Sequence, residues 1–156
     1  MSTDSPVNFD ELPFSTTLLV RDTCLCLHVQ RAARALARRF DAALRPVGLT
    51  NGQFSLLMSL NRPDMPGIPP ATMGSVAELL GLDRTTLTAA VKTLERRGLL
   101  AVRVDPADRR GRLLSLTADG RRVLAAAVPI WTATHAKVEK TLQDPDQLRR
   151  ELIRLG

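Results

Sequence analysis

The side chains best suited to chemistry in this sequence are cationic or hydroxylated, and they fall in two short stretches. One is DRTTLTAAVK, which holds Arg84, Thr85, Thr86, Thr88, Ala89 and Lys92. The other is DPADRRGR, which holds Asp108, Arg109, Arg110 and Arg112. Residues 83–122 around them carry ten basic and five acidic side chains, a net +5 of the chain's total of +6. Cations at this density suit a polyanion, and duplex phosphates fit that description. A solvated basic face with no partner would have the same composition.

Spacing narrows the chemistry. On a helix, Leu87, Val91 and Leu94 share one face, and Thr85, Thr88, Ala89 and Lys92 share the opposite one. Arg84 and Thr86 fall in the first turn. Threonine hydroxyls bond base edges or phosphates, and their methyl groups meet the thymine methyl. Free amides at a helix N-terminus favour a phosphate. In the second stretch Arg110 sits at the tip of a turn, placed to enter a narrow minor groove. Asp108, two residues earlier, is positioned to orient that guanidinium by a bidentate pair. Arg109 and Arg112 would reach phosphates. Solvated side chains on a capped helix and on a charged hairpin are the plain alternatives.

The elements that position these groups follow from periodicity. A long helical pattern runs from Phe14 to Val47 through Leu18, Leu25, Val29, Leu36, Phe40 and Leu44, and Pro46 and Gly48 end it. Thr50 caps a second helix with Phe54, Leu57, Met58 and Leu60 on its apolar face. Residues 61–74, with four prolines, read as a loop. Ser75–Leu80 is a short helix with Val76, Leu79 and Leu80 inward, and Gly81 breaks it. Asp83 caps the next helix, which runs to about Arg97, and Gly98 closes it. Two strands follow, Leu99–Val104 and Arg112–Leu116, joined by the charged turn. Thr117 caps a last long helix that Pro129 should kink, and Asp144-Pro145 opens a short terminal one. Helix, tight turn, helix, strand, turn, strand is a helix-turn-helix with a β-wing, whose second helix enters the major groove.

Other readings are less favoured. Single-strand and RNA platforms stack bases on aromatic rings, and this chain has four Phe, one Trp and no Tyr. The longest apolar run, Val123 to Trp131, contains Pro129 and is far shorter than the ~20 residues a membrane helix needs. The acidic, polar N-terminus lacks the order of a signal peptide, so a cytoplasmic location and reduced thiols are expected. No phosphate loop, HExxH or GxSxG is present, and neither an enzyme nor a cofactor is expected. His28 and His135 are the only histidines, too few for a zinc site. Cys24 and Cys26 form a CxC. On a continuous helix they would point to nearly opposite sides, ill placed to chelate one metal or close a disulfide.

The stretches GLTNGQFSLLMSL, SVAELLGLDRTTLTAAVKTLERRGLL, DPADRRGRLLSLTADG and VPIW resemble the MarR family of transcriptional regulators. With the first helix, the resemblance covers about residues 20–143. It implies a mainly α chain with a small β-wing: a winged helix-turn-helix DNA-binding lobe over residues 49–116 and a helical dimerisation body from 14–48 and 117–156. A loose tail, 1–13, precedes them. It implies a homodimer whose two recognition helices read half-sites of a pseudo-palindromic double-stranded operator, about one helical turn apart. The apolar stripes of the long helices also need a partner surface. Members are usually repressors released by an aromatic acid or phenol, and His28 and Arg31 are the candidate effector contacts. Some sense hydroperoxides through a first-helix cysteine supported by tyrosines. Cys24 and Cys26 offer the thiols, but this chain has no tyrosine. A winged-helix interaction module that binds no DNA is the alternative from another class.

Overall fold

The computed structural model of the protein describes residues 12–63 and 65–156. All but Leu12 and Pro13 of the expected tail lies outside them. Contacts divide the chain into a unit ending at Leu36 and a unit covering Ala37–Gly156.

The expected helix from Phe14 to Val47 is in fact two helices, α1 (Phe14–Thr23) and α2 (Leu25–Leu44), closed by a 3-10 turn, Arg45–Val47. The break is at Cys24, whose ψ of 107° is extended. Its amide still bonds the Val20 carbonyl at 3.0 Å, and its own carbonyl accepts the His28 amide at 3.1 Å. Its Sγ accepts the Leu27 amide at 3.4 Å. Cys24 therefore ends one helix and caps the next. The in-helix geometry assumed for the CxC pair does not apply. No described residue of α1 is buried, and α2 buries only Phe40 and Leu44.

The second unit forms around well-capped short helices. Thr50 caps α3 (Asn51–Ser59), with Gln53 completing a reciprocal capping box. A two-residue strand, β1 (Ala71–Thr72), leads into α4 (Met73–Leu80). Thr72 and Ser75 cap each other there, so α4 starts two residues before the expected point. Gly81, at φ +62°, makes the tight turn that an L side chain would strain. Asp83 then caps α5 (Arg84–Arg96). Strands β2 (Leu100–Val104) and β3 (Arg112–Leu116) pair antiparallel, with Leu100 opposite Leu116 and Val104 opposite Arg112. β1 pairs with the other edge of β3, so the order is β1-β3-β2. Thr117 caps α6 (Ala118–Glu139), which runs through Pro129 without ending. Asp144 caps α7 (Pro145–Leu155).

Leu44, Leu56, Leu57, Val76, Leu87, Leu94 and Leu100 are fully buried and form one core under α3, α4, α5 and the sheet. Each such side chain contributes about 1.5–3 kcal/mol on burial. That core fixes α5 through Leu87, Val91 and Leu94 and leaves its opposite face to solvent. No described helix is long and apolar enough to cross a membrane.

Candidate nucleic-acid interface

The first turn of α5 is shaped by Asp83. Its Oδ1 accepts the Thr86 amide at 2.8 Å and its Oδ2 accepts the Thr86 hydroxyl at 2.6 Å. The Thr86 hydroxyl, and then its amide, hold the carboxyl below the ordinary aspartate value of 3.8. A depressed folded-state pKa means the cap stabilises above the unfolded value and is lost as pH falls through the lower folded one. Asp83→Asn keeps the amide acceptor and removes the titration. Below about pH 4, thermal melts should show the wild type losing an increment of stability that the variant keeps. Parallel curves for the two proteins down to pH 2 would count against the assignment.

Arg84, Thr85, Thr88, Ala89 and Lys92 come together along the outer face of α5, lining a shallow concavity of about 460 Å³. The hydroxyls in this turn are not equivalent. Thr88 donates to the Arg84 carbonyl at 2.7 Å, and Thr86 is turned back to Asp83. The Thr85 hydroxyl makes no hydrogen bond among the described residues. The Thr86 hydroxyl is therefore engaged in the helix cap.

The wing departs from expectation at one point. Asp108 does not clamp the Arg110 guanidinium. Its Oδ1 accepts the Arg110 backbone amide at 3.0 Å, and Asp105 Oδ1 does the same for Ala107 at 2.8 Å. Aspartates bond local amides readily, and here that bond has won over the side-chain pair. The Gly111 amide closes the turn on the Asp108 carbonyl at 2.8 Å. Both acids are thus used in shaping the backbone, and no ion pair holds Arg109 or Arg110 among the described residues. The Arg112 guanidinium folds onto its own turn, donating to the carbonyls of Arg109 at 3.2 Å and Gly111 at 3.0 Å.

A second feature escaped the sequence. An open apolar cavity of about 430 Å³ is lined by Phe54, Ser55, Met58 and Ser59 of α3, Leu79 of α4, and Val128 and Trp131 of α6. Leu79 was expected inward but is 64% exposed. Met73, Val76, Ala77 and Leu80 already make the i, i+3, i+4, i+7 stripe of α4, and Leu79 falls outside it. Trp131 forms one wall, stacked on Phe54 at 6.0 Å and on His135 at 4.6 Å. All the cavity walls come from the second unit. His28 and Arg31 are exposed on α2, and the His28 Nδ1 lies 2.8 Å from the Cys24 carbonyl. Cys26 is exposed, and its Sγ accepts a hydrogen bond from Gln30 at 3.1 Å.

Comparison with known proteins places this geometry. The model of the MarR family matches residues 47–111. The transcriptional activatory protein BadR of Rhodopseudomonas palustris is 33% identical over 99 residues, which are 64% of this chain and 55% of that protein. This chain therefore spans about half the length of BadR. The transcriptional regulator HosA of Escherichia coli is 37% identical over 107 residues, 68% of this chain and 76% of HosA. The crystal structure of the M. tuberculosis transcriptional regulator MosR in complex with DNA superposes with a TM-score of 0.76 at 39% identity. That match covers 85% of this chain and 93% of MosR.

Proposed function

The chain belongs to the MarR family of DNA-binding transcriptional regulators, and on that premise we propose how it reads and releases DNA. The protein acts as a homodimer that places α5 in the major groove and the Arg109–Arg110 wing tip in the adjacent minor groove. Residues 49–116 serve as the DNA-binding lobe. Residues 14–48 and 117–156 serve as the body that joins two copies. The observation that carries the reading is the outer face of α5, where Arg84, Thr85, Thr88, Ala89 and Lys92 share one solvent-facing concavity. Dimerisation is supported by apolar surface that one copy leaves open: Phe14, Leu19 and Val20 on α1, and Leu148, Leu152 and Ile153 on α7. Repression is the expected direction of control, because a dimer covering two adjacent half-sites blocks polymerase wherever they overlap a promoter. Selection of bound sequences from random duplex DNA tests the proposal. It should enrich a two-fold symmetric motif with half-sites about one helical turn apart. Enrichment of an asymmetric motif would overturn the dimer, and no enrichment at all would favour an interaction module.

The effector site in this proposal is the cavity walled by Phe54 and Trp131. Its aromatic and aliphatic lining, with Ser55 at the edge, suits a phenol or aromatic acid. His28 and Arg31, exposed on α2, stay separate candidates for effector contact apart from this cavity, each tested by its own substitution. Trp131 is the only Trp and there is no Tyr, so intrinsic emission reports this cavity alone. Titration with a hydroxybenzoate should quench that emission saturably and weaken operator binding in parallel. Leu79→Asp should shift the titration to higher ligand concentration without lowering Tm. Quenching that rises linearly, without saturation, would sink the cavity as the effector site.

The helix break favours a second reading, a redox-controlled regulator. Cys24 sits at a joint between helices and not within one, and Cys26 is exposed. A hydroperoxide oxidising either thiol to a sulfenic acid would be reduced to its alcohol, and the change at Cys24 would disturb the α2 cap. Peroxide should then release DNA from the wild type and not from the Cys24→Ser/Cys26→Ser double variant. An unchanged response in the double variant ends this reading.

A further inference from the structure

Arg97 belongs to the basic run that suggested a phosphate-binding surface, yet its guanidinium is committed elsewhere. Nη2 donates to the Gly48 carbonyl at 2.8 Å, and Nη1 donates to Gln53 Oε1 at 3.2 Å. These acceptors lie more than forty residues earlier, where α2 gives way to α3. Gln53 Oε1 also accepts the Thr50 amide at 3.0 Å, so Arg97 plugs into the capping box of α3. Asp41 of α2 holds the same helix start, its Oδ1 accepting the Asn51 amide at 2.7 Å. Gly48 has φ +70°, and a Cβ there would meet Arg97 Nη2 at 3.4 Å. Arg97 itself is the C-cap of α5, its amide bonding the Thr93 carbonyl at 3.2 Å. The ends of α2, α3 and α5 thus converge on one planar fork.

We propose that Arg97 is a positioning residue for sequence reading: it pins the far end of α5 to the α2–α3 corner and so sets the angle at which the helix presents Arg84 to Lys92. This rests on the reading of α5 as the recognition helix. The lever arm makes the angle matter. α5 has 13 residues, about 20 Å of helix at 1.5 Å per residue, so a tilt of about 10° at the pinned end moves the reading end by about 3 Å. A base-edge hydrogen bond does not survive that displacement, whereas flexible arginines can still reach phosphates. The corner also joins α5 to α3, which walls the Trp131 cavity, so a change in α3 reaches the reading helix through this fork.

The fork separates positioning from phosphate binding. Lysine keeps the charge but cannot span two acceptors in fixed geometry. The test uses the full chain and measures dissociation constants for the selected operator and for an unrelated duplex across a salt series. Arg97→Lys should lower the ratio of specific to non-specific affinity about tenfold, the size of one lost base-pair contact. Its non-specific affinity and salt slope should match the wild type. Gln53→Ala, which removes one prong's acceptor, should lower the ratio in the same direction, and the double variant should lose less than the sum of the two. Circular dichroism and Tm confirm that each variant is folded. An Arg97→Lys protein with wild-type discrimination overturns the assignment. So does Arg97→Gln weakening both duplexes equally with a salt slope smaller by about one, the signature of a phosphate contact. A wild type that fails to discriminate between duplexes brings down the reading of α5, and this role with it.

Discussion

Gly120→Ala is expected to destabilise the fold by about 3 kcal/mol or more, which lowers Tm by roughly 6–12 °C for a chain of this size. Helix propensity alone predicts the reverse, since alanine inside a helix is favoured over glycine by about 1 kcal/mol. Sterics decide the sign. A Cβ at Gly120 would stand 1.9 Å from the Leu99 carbonyl oxygen and 2.9 Å from its carbon. Both are backbone atoms and cannot rotate aside. They are also held in place: the Thr117 amide donates to the Leu99 carbonyl at 3.3 Å, and the Thr117 hydroxyl donates to the Gly98 carbonyl at 2.6 Å. The same hydroxyl accepts the Gly120 amide at 2.9 Å. The start of α6 is therefore latched onto the corner that follows α5, and only a residue without a side chain allows the approach. Gly52→Ala is the control. Gly52 lies in α3 with nothing within 4 Å of the added methyl, so it should gain about 0.4–1 kcal/mol. Thermal melts of the two single variants read the comparison directly. A Gly120→Ala protein as stable as the wild type would mean the α6 latch is looser than described.

That latch shows what was legible in the residue pattern and what was not. Thr50, Asp83 and Thr117 were readable as caps because each bond closes over three residues. The face of α5 was readable because Leu87, Val91 and Leu94 settle the buried side, and the exposed side follows from helical geometry. β1 was hidden because a two-residue strand shows no alternation, and its partners Leu113 and Leu114 lie more than forty residues on. The break at Cys24 was hidden because no Pro or Gly marks it and the apolar repeat continues across it. At Asp108 the charged turn was legible and the bond inside it was not. A charged pair and an amide acceptor compete for one carboxylate, and only the fold of the turn decides between them. Arg97 was counted as surface charge because its acceptors, a glycine carbonyl and a glutamine side chain, leave no trace in a charge count. The cavity was missed for a related reason: Leu79, Met58, Val128 and Trp131 come from three helices and share no local spacing.

At the wing, charge and geometry predict opposite signs, which makes it the sharper test of DNA reading. Arg110→Ala should weaken binding to the selected operator by about 1–3 kcal/mol, or roughly 5- to 150-fold. Because a narrow minor groove concentrates negative potential, the loss should be larger on an A·T-rich flank than on a G·C-rich one. Asp108 adds a second measurement. A negative side chain beside DNA costs affinity by Coulomb repulsion, so removing it should strengthen binding if charge alone matters. Its carboxylate, however, holds the Arg110 amide and with it the turn that Gly111 closes on the Asp108 carbonyl. Asp108→Asn removes the charge and keeps an acceptor for that amide. Asp108→Ala removes both. The asparagine variant should bind the operator as well as the wild type or better, and the alanine variant should bind it worse. Improved binding by both variants would show that the turn needs no such support. Equal weakening on both flanks by Arg110→Ala would place that guanidinium on a phosphate and not in the groove.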